Sequence, residues 1–440
     1  MLHRITLLAA LTLLSTLPLS AQQFNKAKLD SLLTALADHH KLMGSLVLSQ
    51  NGQVVYRRAV GLAQPNTAAT PATHYRIGSV TKLFTAALVL QLVEEGRLAF
   101  STPLATWFPQ LPNAARITVD HLLHHRSGLA NFTSAPAYQQ YLTQPQTQAQ
   151  MLTIMGGAAP EFEPGARFAY SNTNYVLLGY IVEKITGQPY AQAVQQRIAT
   201  KLGLKDTYYG GRIRAKAQEA ASFRWNGAAW LPEPETDMSI PGGAGALVST
   251  PADLARFVES LFGGQLLKPA SLQLMLTMQD GYGIALMRLP FYDKTSYGHF
   301  GGIDGFNAAL AYFPQEKLAV AYCGNGLNYN FNDALIGVLS VYFGKPYRIP
   351  TFEAAPTLTA TELSRYAGTY ASSQFPLKVA VTATGTTLMA QATGQGAFPL
   401  TPQSATHFVY EPAGVQMDFD VAKGEFTLRQ GGGSYLFKRE

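Results

Sequence analysis

The chain has 440 residues, 33 Lys and Arg against 27 Asp and Glu, and a formal net charge of +6. With 47% hydrophobic and 11% aromatic residues it can fill a sizeable core, which excludes a disordered or collagen-like polymer. Its one cysteine, Cys323, excludes an internal disulfide framework and any multi-cysteine metal centre. The absence of a Lys/Arg run leaves the basic balance without a nucleic-acid footprint.

Residues 1–21 read MLHRITLLAALTLLSTLPLSA, a short basic start, an apolar stretch and small residues before Gln22. That is the pattern of a cleaved export signal, too short in its apolar part to span a bilayer, so the mature protein is expected to be periplasmic or extracellular. Residues 24–42 place Leu29, Leu32, Leu33 and Leu36 on one helical face. Asn51-Gly52, between the apolar runs 46–48 and 54–56, predicts a hairpin with a primed turn. Residues 80–95 lack Pro and Gly, are apolar almost all round and stop at Gly96, so they predict a buried helix. Residues 100–240 mix helical patterns with Pro/Gly punctuation and predict a mainly helical insertion.

Strand character returns from Tyr297, with runs 306–312 and 318–322 joined as a hairpin by residues 314–317 and followed by a helix over 331–343. Strands at both ends of a unit with helices between them predict an α+β fold, an antiparallel sheet covered by helices beside an all-helical subdomain. Pro346, Pro350 and Pro356 mark residues 346–359 as a linker. Beyond it, short strands without helices predict a small antiparallel β-barrel over residues 360–440.

The sharpest chemical signal is Ser79-Val80-Thr81-Lys82, the one S-x-x-K in the chain, at the start of the buried helix. Three residues are nearly one helical turn, so the hydroxyl and the amine project to one side. Burial and the positive end of the helix dipole would depress the lysine pKa and let it take the serine proton. Tyr170-Ser171-Asn172 offers a phenol for proton relay and an amide for a substrate carbonyl. His299, in Gly298-His299-Phe300-Gly301-Gly302, lies on a strand whose glycines permit close approach of another backbone. His121, His124 and His125 have helical spacing but no accompanying Glu base, so no metal or other cofactor is expected.

Taken in order, these three motifs resemble those of the serine β-lactamase and penicillin-binding protein superfamily, in its class C-like branch of D-aminopeptidases, DD-carboxypeptidases and esterases. The runs LLHHRSGL at 122–129, LGLKDT at 202–207 and GAGALVST at 243–250 look like framework segments of that branch. The resemblance spans residues 22–345 and implies Ser79 as acylated nucleophile, Lys82 as its base, Tyr170 as second proton carrier and Asn172, with Gly301, as substrate ligands. It also implies an oxyanion hole from the N–H groups of Ser79 and Gly302. His299 stands where class C β-lactamases carry a lysine; a protonated imidazole there would receive a substrate carboxylate. Phe300 lacks the hydroxyl that helps anchor a β-lactam carboxylate. The C-terminal unit looks like the lipocalin-like domain attached to some D-amino-acid peptidases. The resemblance implies an exported D-amino-acid peptidase or DD-carboxypeptidase-like enzyme acting on small peptides, peptidoglycan fragments among them. The alternatives are a carboxylesterase of the same family, or a penicillin-recognising or hydrophobic-ligand-binding protein without turnover. Contact between copies through the C-terminal unit is a further expectation.

Overall fold

The computed structural model of the chain describes residues 24–352, 356–410, 413–430 and 433–440. The export signal expected over residues 1–21 lies outside them, as does part of the linker. No helix among the described residues is long and apolar enough to cross a membrane.

The frame is a six-stranded antiparallel sheet. Its strands run, in spatial order, Met287–Phe291, Lys294–Ile303, Phe306–Phe313, Leu318–Leu327, Leu42–Gln50 and Gln53–Val60. The N-terminal hairpin and the returning strands meet within it, where Leu46 pairs with Tyr322. The turn at Asn51 (φ 54°) and Gly52 (φ 78°) pairs Gln50 with Gln53, the primed geometry that matches strand twist. Side chains alternate between two cores, as the pleat requires. Leu46, Leu48, Ala309, Val320 and Tyr322 face helices Lys26–Asp38 and Phe331–Tyr342. Val47, Ala308, Leu310, Ala319, Ala321 and Cys323 face the opposite core, which contains Phe84 and Phe257.

That second core carries the helical part of the molecule. Helix Thr81–Glu94 is buried from Thr81 to Leu92, so it has no solvent face, which explains why its sequence lacks amphipathic period. Helix Asn172–Thr186 packs against it and ends at Gly187 in the left-handed region. A second small sheet, Tyr75–Arg76 with Leu247–Ser249 and Tyr208–Tyr209, feeds the chain into the turn that precedes helix Thr81–Glu94.

Residues 368–439 form a closed eight-stranded antiparallel barrel, sealed where Tyr370 pairs with Arg439. Its interior is filled by aromatic rings: Phe426 stacks on Phe437 at 4.8 Å, and Tyr370 meets Phe426 edge-on at 4.9 Å. The sequence reading missed strands Met287–Phe291, Gly368–Ala371 and Phe398–Pro402. Two of these contain prolines (Pro290, Pro399, Pro402), which cannot donate to a ladder and which mimic turn signals.

Candidate active site

Ser79 lies in a 3-10 turn, Gly78–Val80, that runs directly into helix Thr81–Glu94. The turn is held from below by the Ile77 N–H, which donates to the Leu247 carbonyl at 3.0 Å. Lys82, one turn on, is fully buried, and its Nζ has three oxygen neighbours: Ser79 Oγ at 2.9 Å, Asn172 Oδ1 at 2.8 Å and the Ala244 carbonyl at 2.8 Å. Burial alone holds the Lys82 pKa well below the usual lysine range. A neutral amine has two N–H groups and one lone pair. The two carbonyl oxygens can only accept, so they take the two N–H groups and leave the lone pair for the Ser79 O–H.

Tyr170 donates its O–H to Ser79 Oγ at 2.9 Å, and burial pushes its phenol above the usual tyrosine range. Asn172 opens helix Asn172–Thr186; its amide donates to Thr133 Oγ1 at 3.0 Å while its oxygen takes Lys82. The structure therefore brings Ser79, Lys82, Tyr170 and Asn172 into one hydrogen-bonded group. Asn172 holds the lysine as well as lining the cleft.

The strand Lys294–Ile303 supplies the far wall. Its outer neighbour Met287–Phe291 pairs with it only as far as Gly298, so residues 299–303 present a free edge. Both hairpins close on two-residue turns, Phe291 with Lys294 and Ile303 with Phe306. The antiparallel alternation then points the N–H and C=O groups of Phe300 and Gly302 toward that edge. Gly301 and Gly78 let this strand press against the serine turn: a Cβ on Gly301 would lie 2.0 Å from the Ile77 carbonyl, and one on Gly78 (φ +48°) 2.8 Å from the Gly302 nitrogen. The Ser79 and Gly302 N–H groups thus belong to two backbones in van der Waals contact.

His299 does not behave as its position in the sequence suggested. It is buried, its Nδ1 contacts the Phe300 carbonyl, and its Nε2 accepts from the Tyr282 hydroxyl at 3.1 Å. Desolvation, with the nearby Lys82 adding to it, lowers its pKa to about 3. Burial disfavours the charged imidazole, which weighs against the charged carboxylate receptor expected from the sequence. Phe300 points to the opposite core, against Phe331.

Sequence reasoning weighed His125 with His121 and His124 as a helical metal set and otherwise placed it in a framework segment. Its backbone carbonyl accepts from the Ala169 N–H at 2.9 Å and its Nδ1 from the Ser171 N–H at 3.1 Å, so one residue grips the chain on both sides of Tyr170. Its ring lies against Tyr170 at 4.4 Å between centroids. His121 and His124 have other partners, the Thr118 N–H and Asp120. Ala244, Thr133 and Tyr282 were also missed; Ala244 lies in the run 243–250, where the pattern was visible but a carbonyl has no side-chain signature.

Ser79 opens into a cleft of about 520 Å³ lined also by Thr133, Tyr138, Glu233, Asp304 and Asn307. The group can attack a carbonyl, move a proton away from the attacking hydroxyl and hold the resulting oxyanion.

The family model described as Beta-lactamase matches residues 29–339. The chain is 27% identical to penicillin-binding protein 4* of Bacillus subtilis (strain 168) over 444 residues, 93% of this chain and 97% of that protein. It is 32% identical to esterase EstB of Burkholderia gladioli over 246 residues, 50% of this chain and 61% of that one. The solved D-amino acid amidase from Ochrobactrum anthropi SV3, complexed with L-phenylalanine amide, superposes with a TM-score of 0.63 at 27% identity, covering 72% of this chain and 99% of its own.

Proposed function

From the premise that the chain belongs to the beta-lactamase family and is a serine hydrolase, we propose that it cleaves small peptides, amides or esters through an acyl-enzyme on Ser79. The observation that carries this reading is that the Lys82 amine and the Tyr170 phenol both lie 2.9 Å from one serine oxygen at the mouth of a cleft.

The neutral Lys82 amine takes the Ser79 proton as Oγ attacks the substrate carbonyl carbon. Negative charge collects on the carbonyl oxygen, where the N–H groups of Ser79 and Gly302 receive it. When the tetrahedral adduct collapses, Tyr170 gives its proton to the departing amine or alcohol and is reprotonated from the Lys82 ammonium. Water then repeats the sequence against the acyl-enzyme, releasing the acid and restoring Ser79. Asn172 keeps Lys82 aimed throughout.

The first substrate class is a D-amino-acid peptide or amide, supported by the likeness to the D-amino acid amidase. A carboxylesterase is the second reading, supported by the likeness to EstB. The leader at residues 1–21 supports work outside the cytoplasm, with the mature chain starting at Gln22. Treatment of secreted protein with a fluorophosphonate probe should give one adduct on Ser79 and none on Ser79→Ala, and the mature mass should begin at Gln22. Stoichiometric labelling of Ser79→Ala would refute the assignment.

A further inference from the structure

The charges around the cleft speak to its substrate. Among the described residues that line it, the charged side chains are two acids, Glu233 and Asp304. Asp304 is nearly buried and bonds to Arg76 at 3.0 Å and to the Thr236 hydroxyl at 2.5 Å. Arg76 is shared: it also pairs with Glu235 at 3.0 Å and stands behind the wall with 3% of its side chain exposed. Burial raises the Asp304 pKa from the usual carboxylate range, against the lowering pull of Thr236 and Arg76; with both acids ionised, two carboxylates on one guanidinium leave that trio with one negative charge. Glu233 has its own partner, Arg224, at 2.7 Å, and that arginine is 60% exposed. Inside the site the Lys82 amine is buried behind Ser79, engaged by Ser79, Asn172 and the Ala244 carbonyl, and the imidazole of His299 has both nitrogens engaged. Nothing that lines the cleft offers a cation to an anionic substrate.

Asp304 sits in the turn that follows strand Lys294–Ile303, two residues after Gly302. Gly302, Asp304 and Glu233 line the same cleft as Ser79, so a group held at the Gly302 N–H shares that cleft with both acids.

Resting on the hydrolase reading above, we infer that the cleft selects acyl donors that carry an ammonium group beside the scissile carbonyl, such as aminoacyl amides and esters or peptides with a free amino end. It discriminates against peptides that end in a carboxylate next to the cleaved bond. The acidic trio attracts the ammonium, and a carboxylate meets net negative charge without a partner. This favours aminopeptidase or amidase chemistry over carboxypeptidase chemistry at the same serine.

Binding can be read without turnover. Calorimetry on Ser79→Ala should give a Kd for D-alaninamide at least about tenfold below that for N-acetyl-D-alaninamide, with N-acetyl-D-alanyl-D-alanine the weakest of the three. The gap should narrow between about 0.02 and 0.5 M salt, as screening of a charge contact requires. Glu235→Gln in the same background, folded by its melting curve, should reduce the cation-to-neutral ratio to below about threefold by cancelling the trio's excess charge. Equal affinities for the cation and the neutral amide, or tighter binding of the anion, would overturn the inference. The hydrolase reading stands or falls separately, on fluorophosphonate labelling of the wild-type serine.

Discussion

Lys82 carries an amine to a place where no water can hydrate its charge, and the reactivity of the site follows. With its pKa well below the usual 10.5, the amine sheds its proton more readily than a solvated lysine. The rate constant kcat/KM should rise with pH through one acid limb as Lys82 gives up its proton, then stay level to about pH 10, because burial keeps Tyr170 protonated beyond that. Lys82→Met should lower kcat by about 100- to 10,000-fold. It should also change how stability depends on pH. The folded pKa is depressed, so between it and the unfolded value the unfolded chain binds the extra proton, and stability contributed at this site rises with pH. The melting temperature of Lys82→Met minus that of wild type should therefore fall as pH rises from about 6 to about 10; an unchanged difference would mean that the folded lysine is charged.

His125 is the positioning counterpart. By gripping both Ala169 and Ser171 it fixes the direction of Tyr170 without touching the substrate. His125→Leu should cost kcat about 10- to 100-fold with KM little altered, and His125→Asn, whose oxygen can stand near the lost Nδ1, should recover most of it. In a Tyr170→Phe background the leucine change should add little, since the two residues act as one unit. A change in KM alone, or no recovery with asparagine, would leave His125 with a packing role only.

At the scale of elements, the site is the contact between a helix start and a strand edge, and two glycines set its spacing. Gly301→Ala would place a methyl group 2.0 Å from the Ile77 carbonyl, so the strand must retreat from the serine turn. Retreat separates the two oxyanion donors, and a misplacement of about 1 Å can cost about 100-fold in rate. Kinetics and melting of Gly301→Ala should show kcat falling by at least that factor while the fold survives; wild-type kcat would refute the close contact. This is also where the sequence was most legible. Ser79 lies in the 3-10 turn that runs into the helix of Lys82, so their spacing of about one turn foretold their meeting. Tyr170 and Asn172 flank a helix start and were visible as a motif. The state of His299 was not legible, because it depends on burial and on Tyr282, 17 residues away on another segment. Nor was the Ala244 carbonyl, a backbone group whose place only the tertiary fold decides.

At the scale of the molecule, the chain between strands Gln53–Val60 and Met287–Phe291 builds most of the cleft: the serine turn, the tyrosine and the Ala244 carbonyl all come from it, and the free edge comes from the returning strands. The barrel lies outside this group; none of its described residues lines the cleft at Ser79. Among the described residues, Phe408, Phe426 and Phe437 are buried in its interior. A chain ending at residue 355 should therefore keep ester turnover within about threefold of the full chain, since the catalytic geometry is untouched. Loss of turnover with retained melting would assign the barrel a share in catalysis.

The free edge of residues 299–303 has a consequence beyond substrate. Unpaired backbone is a template for any extended chain, and proteins ordinarily blunt it with charge, proline or cover. Here the strand Met287–Phe291 that would have covered it ends opposite Gly298, and Gly302 and Ile303 of the edge line the cleft at Ser79. The same exposed amides that would be a hazard on an outer rim are thereby reserved for guests that come one at a time.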